Sequence, residues 1–366
     1  MTSTTSTSRP VRATPTTAPD VAREWGVDLA RGVAIISMFV AHTAPTAGPG
    51  GVLMLSEYLT FPLFALLVGA GVELGARRTR VWEHGAASLV RAAALLLAGW
   101  LLAKAGAWIV IVLAPLGLLT LLCWAVSRLP SWGVALVGLG AGLVAPWSIE
   151  ASRSTVSELA LAQETGRLWW FELLVSAYYP QAVLLLVGCA GILVTRLLVP
   201  RDGRPASWPT TGVVIGASGA VFLALAALHL TGRTEIVAYR TTWPEELFVT
   251  AFAVGVFAVC LVVARARLVR QVLAPLAWVG AMTLTVYVLH VGWLAWWVRG
   301  LHPGVSDDAW SNVIGMSVAA LLLATLWRLL RAPRPWSRGP LEGVVGLAVQ
   351  LATAGVRDRR AAPEPE

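Results

Sequence analysis

Charge is scarce in this chain. Asp, Glu, Lys and Arg make up 13% of its 366 residues, against 57% hydrophobic side chains. A soluble domain carries about 25% charge, so the composition excludes an ordinary soluble enzyme. Cysteine is also rare. Cys123, Cys189 and Cys260 are the only three, with no CxxC pair and no His/Cys cluster. That spacing excludes a disulfide scaffold and a zinc site, and the expectation is no metal. No Walker loop is present, and no GxGxxG follows a strand. No internal repeat is visible, which argues against a transporter built from two related halves. Residues 1–24 are rich in Thr, Ser and Pro and are not followed by a short apolar run with a cleavage site, so they read as a disordered cytosolic tail.

What remains is apolar sequence in long runs, with mean hydropathy +0.71. The fold class expected is all-α, a polytopic transmembrane helical bundle of about ten spans, each near the ~20 residues that cross a bilayer. The spans are placed near 28–45, 52–74, 86–104, 107–127, 132–148, 178–198, 211–231, 246–264, 273–298 and 310–330. The bundle would then cover residues 25–331, with 332–366 as a cytosolic C-terminal tail. Gly138–Gly142 lies within a small-residue span and reads as a close helix contact.

Basic residues orient the bundle. With residue 1 in the cytosol, only Lys104, Arg153, Arg167, Arg233, Arg240 and Arg299 of the 28 Lys and Arg fall outside. This positive-inside bias predicts a plasma-membrane protein with both termini cytoplasmic. It also explains an isoelectric point near 10.2 without nucleic acid as a partner. Two outer segments have length to spare. Residues 149–177 hold Glu150, Glu158, Glu164 and Glu172 with Trp169-Trp170-Phe171, and 232–246 hold Arg233, Glu235, Arg240, Glu245 and Glu246. Their Trp and Tyr suit an interfacial belt or a substrate-binding surface.

The most informative stretch is Gly26–His42. Asp28 and Arg31 are i,i+3 neighbours and can pair. His42 follows Asp28 by 14 residues, about 21 Å along a helix and only about 40° around it. Both therefore project from nearly the same face at opposite ends of one span. Ionisable groups inside a span point to function. In the ninth span Tyr287 and His290 share a face, and His290 needs a polar partner or a wet cavity. His84 and His302 read as solvated loop residues, and His229 as an interfacial one. For His42 and His290, a hydrogen-bonded packing role stands beside the catalytic one.

These segments resemble known families. Asp28, Arg31-Gly32 and His42 resemble the first-helix pattern of the membrane acyltransferase superfamily. Glu57–Gly69 is similar to the second-helix region of heparan-alpha-glucosaminide N-acetyltransferases. Gly280–His290 resembles the late-helix LTxYxxH pattern of the same clan. Arg338-Gly339-Pro340-Leu341-Glu342 resembles the C-terminal signature of YeiB-like inner-membrane proteins. Residues 43–56 hold no histidine, so His42 matches the helix-ending histidine of the broader acyltransferase family.

The resemblance implies transfer of an acyl group, acetyl above all, from cytosolic acyl-CoA to an extracytoplasmic glycan or lipid. His42 would be the catalytic base or acyl carrier, with His290 assisting. Arg31, Asp28, Arg77 and Arg78 would hold the co-substrate, and Glu57 and Tyr287 the acceptor. Membrane lipids and an envelope glycan or lipid are the partners implied, and a homodimer is compatible with them. The alternatives are a polytopic transporter or lipid-handling protein without acyl transfer, and an inactive member serving in assembly.

Overall fold

The structure is a computed structural model that describes residues 18–199, 201 and 206–361, with side chains described from 25 to 355. It consists of helices in the order α1 (Ala18–Thr43), α2 (Leu55–Ala76), α3 (Val81–Ala103), α4 (Leu113–Val126), α5 (Ser131–Leu161), α6 (Thr165–Val175), α7 (Gln181–Leu198), α8 (Trp208–Leu230), α9 (Trp243–Val263), α10 (Arg267–Val272), α11 (Ala274–Ala281), α12 (Thr283–Trp296), α13 (Trp310–Leu329) and α14 (Pro340–Ala361). Among the described residues there is no strand. Eight helices are long and apolar enough to cross a membrane, and α11 with α12 makes a ninth that is bent by 83°. The protein is an all-α membrane bundle.

The span expected at 107–127 is shorter than its hydropathy suggests. Lys104 ends α3, Gly106 turns the chain with φ +76°, and helix resumes only at Leu113. Residues 105–112 are apolar yet not helical. Such backbone is tolerated at membrane depth only where protein partners satisfy it. Conversely, α5 runs on for 31 residues, about 46 Å, so much of the expected outer loop is helix. Part of the expected C-terminal tail is the helix α14, which lies along α3 and touches α12. Of the expected N-terminal tail, residues 1–17 lie outside the described residues, and α1 begins at Ala18.

α1, α2, α7 and α9 form the centre, where Ile35, Met38, Phe39, Leu66, Leu184 and Phe257 are almost wholly buried. In lipid the hydrophobic effect does not drive helices together, so close backbone approach must. A Cβ on Gly32 would strike the carbonyl of Leu276, and one on Gly280 the carbonyl of Asp28, which seats α11 against α1. Gly69 and Gly191 do the same between α2 and α7. Gly138 and Gly142 pack α5 on Cys189 and Leu186 of α7, as the small-residue span predicts. α8 leans on α9 and otherwise faces outward, its Leu223 at 65% exposure to what would be lipid. The three cysteines are free and buried.

Candidate active site

α1 carries its polar groups at its two ends. Towards its N-terminal end Arg31 Nη1 donates to Asp28 Oδ1 at 2.7 Å, the pair that the i,i+3 spacing predicts. At the C-terminal end His42 meets α12. The bend between α11 and α12 aims α12 so that His290 faces α1, and His42 Nδ1 lies 3.0 Å from His290 Nε2. The rings stack with centroids 5.2 Å apart and an interplanar angle of 19°.

The hydrogen-bond chain assigns the protons. His290 Nδ1 lies 3.1 Å from the carbonyl oxygen of Tyr287, which can only accept. His290 therefore carries its proton on Nδ1, and its Nε2 is an acceptor. His42 must then donate from Nδ1, which leaves His42 Nε2 with a free lone pair. His290 is buried, at 3% exposure, whereas His42 is partly exposed. The accessible nitrogen of the pair is thus an unprotonated one, oriented by a second imidazole and anchored on a backbone carbonyl. This geometry suits proton abstraction or nucleophilic attack.

The non-helical 105–112 segment borders this pair. Trp108 stands edge-on to His42 at 6.2 Å, and its indole N–H donates to Asp307 Oδ2 at 2.6 Å. Asp307 is buried at 4% exposure, and its carbonyl accepts from Asn312 Nδ2, whose Oδ1 in turn accepts from Trp293. Arg299 donates to the carbonyl of Ala105 at 3.2 Å. The backbone N–H of Val112 donates to the Tyr287 hydroxyl at 3.3 Å. Tyr287 therefore serves the pair twice. Its hydroxyl holds the segment near His42, and its carbonyl orients His290.

The other site residues from the sequence lie elsewhere. Arg77 donates from Nε to Glu73 at 3.0 Å and from its terminal nitrogens to the carbonyls of Val199 and Thr195. Arg196 shares Glu73, also at 3.0 Å. Glu73 is 1% exposed, so this triad ties α2 to α7 with little of Arg77 left over. Arg78 is exposed one residue on. The terminal nitrogen of Arg31 passes close to Gly71 of α2.

Glu57, half-exposed in the first turn of α2, forms no hydrogen bond with either histidine among the described residues. Tyr239 meets Tyr178 and Tyr179 edge-on and Phe61 at a tilt, and its N–H donates to Glu245 at 2.6 Å. Burial pushes the Tyr239 phenol upward, with smaller contributions from Tyr179, Glu57 and Glu245.

His84 departs from its expected solvated loop. It lies in the first turns of α3 at 4% exposure, its ring in the notch left by Gly75. His229 accepts from the N–H of Ile236, a local loop contact, and His302 packs on Trp297. Trp108, Asp307 and Asn312 carried no sequence signal, because each acquires its role from chain more than 150 residues away or from another helix. Among the described residues no group of three or more His, Cys, Asp or Glu could hold a metal ion.

The model of one family, described as heparan-alpha-glucosaminide N-acetyltransferase, catalytic, matches residues 23–239. The match takes in α1 from residue 23 onward and the whole of α2 to α8, with His42, Trp108 and Arg31, and stops short of His290 and Arg338. No curated protein matches the chain.

Proposed function

Because the chain belongs to the heparan-alpha-glucosaminide N-acetyltransferase catalytic family, we propose that it transfers an acetyl group from cytosolic acetyl-CoA to an amine or hydroxyl of an envelope glycan or lipid. The observation that carries this reading is the His42–His290 contact at 3.0 Å, which leaves His42 Nε2 as the unprotonated nitrogen of the pair. The positive-inside distribution supports an orientation with the Asp28 end of α1 in the cytosol and His42 toward the outer face.

His42 Nε2 takes the proton of the acceptor O–H or N–H as the acceptor oxygen or nitrogen attacks the thioester carbonyl. The tetrahedral intermediate collapses, the C–S bond breaks, and the leaving thiolate takes the proton back from His42. His290 accepts from His42 Nδ1–H throughout and holds the charged imidazolium in place. Trp108 and Asp307 close the pair on one side. Arg31 lies 11 residues before His42, about 16 Å along α1. That interval supports a donor whose charged part stays at the inner mouth while its thioester reaches the pair. Asp28 orients Arg31.

The reading is tested by incubating purified protein with acetyl-CoA labelled in the acetyl group, alongside mass spectrometry of envelope glycans and lipids from cells with and without the protein. An acetyl mass lost from one envelope species and restored in vitro supports it. Unchanged envelopes together with uptake of a solute into liposomes would favour the transporter instead.

A further inference from the structure

A second polar region lies at the end of the bundle that carries His42. Phe61 of α2, Tyr178 ahead of α7, Tyr239 ahead of α9, and Glu245 and Glu246 in the first turn of α9 line a small cavity there. Ser37, five residues before His42, bonds at 2.9 Å to Thr60, the neighbour of Phe61, which fixes the end of the bundle concerned. Neither His42 nor His290 lines the cavity. Its volume of about 10 Å³ gives room for one water-sized group. Tyr178, at 50% exposure, connects it to the surface.

Two carboxylates in this cavity lack partners. Glu245 and Glu246 are each 4% exposed. Glu245 Oε1 accepts the N–H of Tyr239, but Glu245 Oε2 and Glu246 Oε1 are buried with no hydrogen-bond partner. Among the described residues neither acid has a Lys, Arg or His within ion-pair distance. Arg240, the nearest base in sequence, pairs with Glu235. Buried polar groups are almost always satisfied, and a buried carboxylate without a cation is costly. Two adjacent acids add their mutual repulsion. The aromatic walls are held in place independently. The Tyr58 hydroxyl donates to the carbonyl of Ile236 at 3.1 Å and anchors the link ahead of α9. Within that link Tyr239 has φ +66° and Thr241 φ +53°, a conformation that residues other than glycine adopt only at a cost.

We propose that this cavity binds a primary ammonium group, held by Glu245 and Glu246 among the rings of Tyr178, Tyr239 and Phe61. An ammonium is a compact cation with three N–H donors, which match the unpartnered carboxylate oxygens. Aromatic faces attract the same charge. Calcium and magnesium take about six or more oxygen ligands, whereas the walls beyond the two acids are chiefly aromatic and aliphatic. A trimethylated ammonium exceeds a space of one water. A proton shared between the acids would neutralise one of them and leave the other charge buried. The carrier of the ammonium is a soluble amine or the headgroup of phosphatidylethanolamine. Held as a cation, the nitrogen has no lone pair, so this is not the amine that accepts an acyl group. The inference therefore stands apart from acyl transfer.

The test uses full-length protein in neutral detergent at neutral pH, titrated with methylammonium chloride and, at matched concentration, with tetramethylammonium chloride and sodium chloride. Methylammonium should raise the melting temperature saturably, and the other two salts should not. Charge-assisted hydrogen bonds are each worth about tenfold or more in affinity. Glu245→Gln and Glu246→Gln should therefore each weaken methylammonium binding about tenfold or more. Tyr178→Leu should weaken it less, and Tyr178→Phe, which keeps the ring, should not. Glu235→Gln, an exposed carboxylate outside the cavity, should leave binding unchanged. Melting temperatures without amine show that the variants are folded. Glu246→Gln, relieved of a buried charge, should be at least as stable as wild type.

Equal shifts from all three salts would reduce the effect to ionic strength and overturn the proposal. A methylammonium response that both Gln variants retain would overturn it too. A response to sodium alone would assign the acids to a metal ion, with the same consequence. Nanodiscs of phosphatidylethanolamine and of phosphatidylcholine distinguish the two carriers. Glu246-dependent stabilisation by phosphatidylethanolamine supports the site and names the lipid as its ligand. Glu246-dependent stabilisation by methylammonium to the same extent in both lipids supports it with a soluble amine. No response to methylammonium in detergent and none to phosphatidylethanolamine in nanodiscs would show that the acids are settled by protons alone, and the proposal would fall.

Discussion

His42 and His290 lie 248 residues apart in sequence and 3.0 Å apart in space, Nδ1 to Nε2. His290 is fixed by the carbonyl of Tyr287, so the pair has a direction: backbone, buried imidazole, accessible imidazole. His42→Ala should lower acetyl transfer by about 10²–10⁴-fold, the usual worth of a general base, in a protein that still inserts and folds. His290→Ala should cost less. His290→Gln, which can still accept from His42 Nδ1–H, should keep more activity than His290→Ala. Equal rates for the two His290 variants would show that orientation through this bond is irrelevant to turnover.

Glu73 is shared by two guanidiniums in a nearly water-free position. Removing one member of such a buried ionic group leaves uncompensated charge and costs about 3–5 kcal/mol. Glu73→Ala should therefore sharply lower the melting temperature in detergent and the yield from membranes. Arg77→Gln should also destabilise while leaving coenzyme A affinity unchanged in the protein that survives. A weakened affinity without destabilisation would return Arg77 to the donor site.

Gly280 packs on the carbonyl of Asp28, and a methyl group cannot fit there without moving α11 off α1. Gly280→Ala should destabilise the protein and reduce transfer, because α11 sets where α12 begins. Gly216→Ala on α8, where an added Cβ meets nothing within 4 Å, is the matched control and should be neutral or slightly stabilising. Comparable melting temperatures for the two variants would contradict the close-contact role.

Burial pushes the Glu342 carboxyl upward, although its bonds to Thr285 pull the other way. A raised folded-state value means that stability is fully present below the unfolded carboxyl value, about 4.3, and is lost as pH rises through the folded value. The wild-type protein should accordingly lose melting temperature over that window. Glu342→Gln, which mimics the protonated acid, should stay nearly flat and meet the wild-type curve at low pH. Parallel curves across the window would mean that Glu342 does not titrate in this environment.

The orientation is open to chemical labelling. Single cysteines introduced at exposed positions of 149–177, such as Ser154 or Gln163, should react with an impermeant maleimide in intact cells. Reaction only after permeabilisation would reverse the topology.

Class, the approximate spans and the two ends of α1 were legible in the sequence, because each depends on local properties. Hydropathy reports which segments leave water, and helical spacing alone pairs Arg31 with Asp28. Helix interruptions were less legible. Residues 105–112 are as apolar as a span, and only the hydrogen bonds from Val112 to Tyr287 and from Trp108 to Asp307 explain why they are not one. The resemblance assigned Arg77 and Arg78 to an anion, yet Glu73 occupies Arg77 from within its own helix. Composition and periodicity thus determined that the chain is a membrane bundle with ionisable groups along its first helix. Tertiary structure decided that His42 meets His290 and that Glu73 binds both Arg77 and Arg196. The His42–His290 contact depends on an 83° bend between α11 and α12, which no local stretch of sequence encodes.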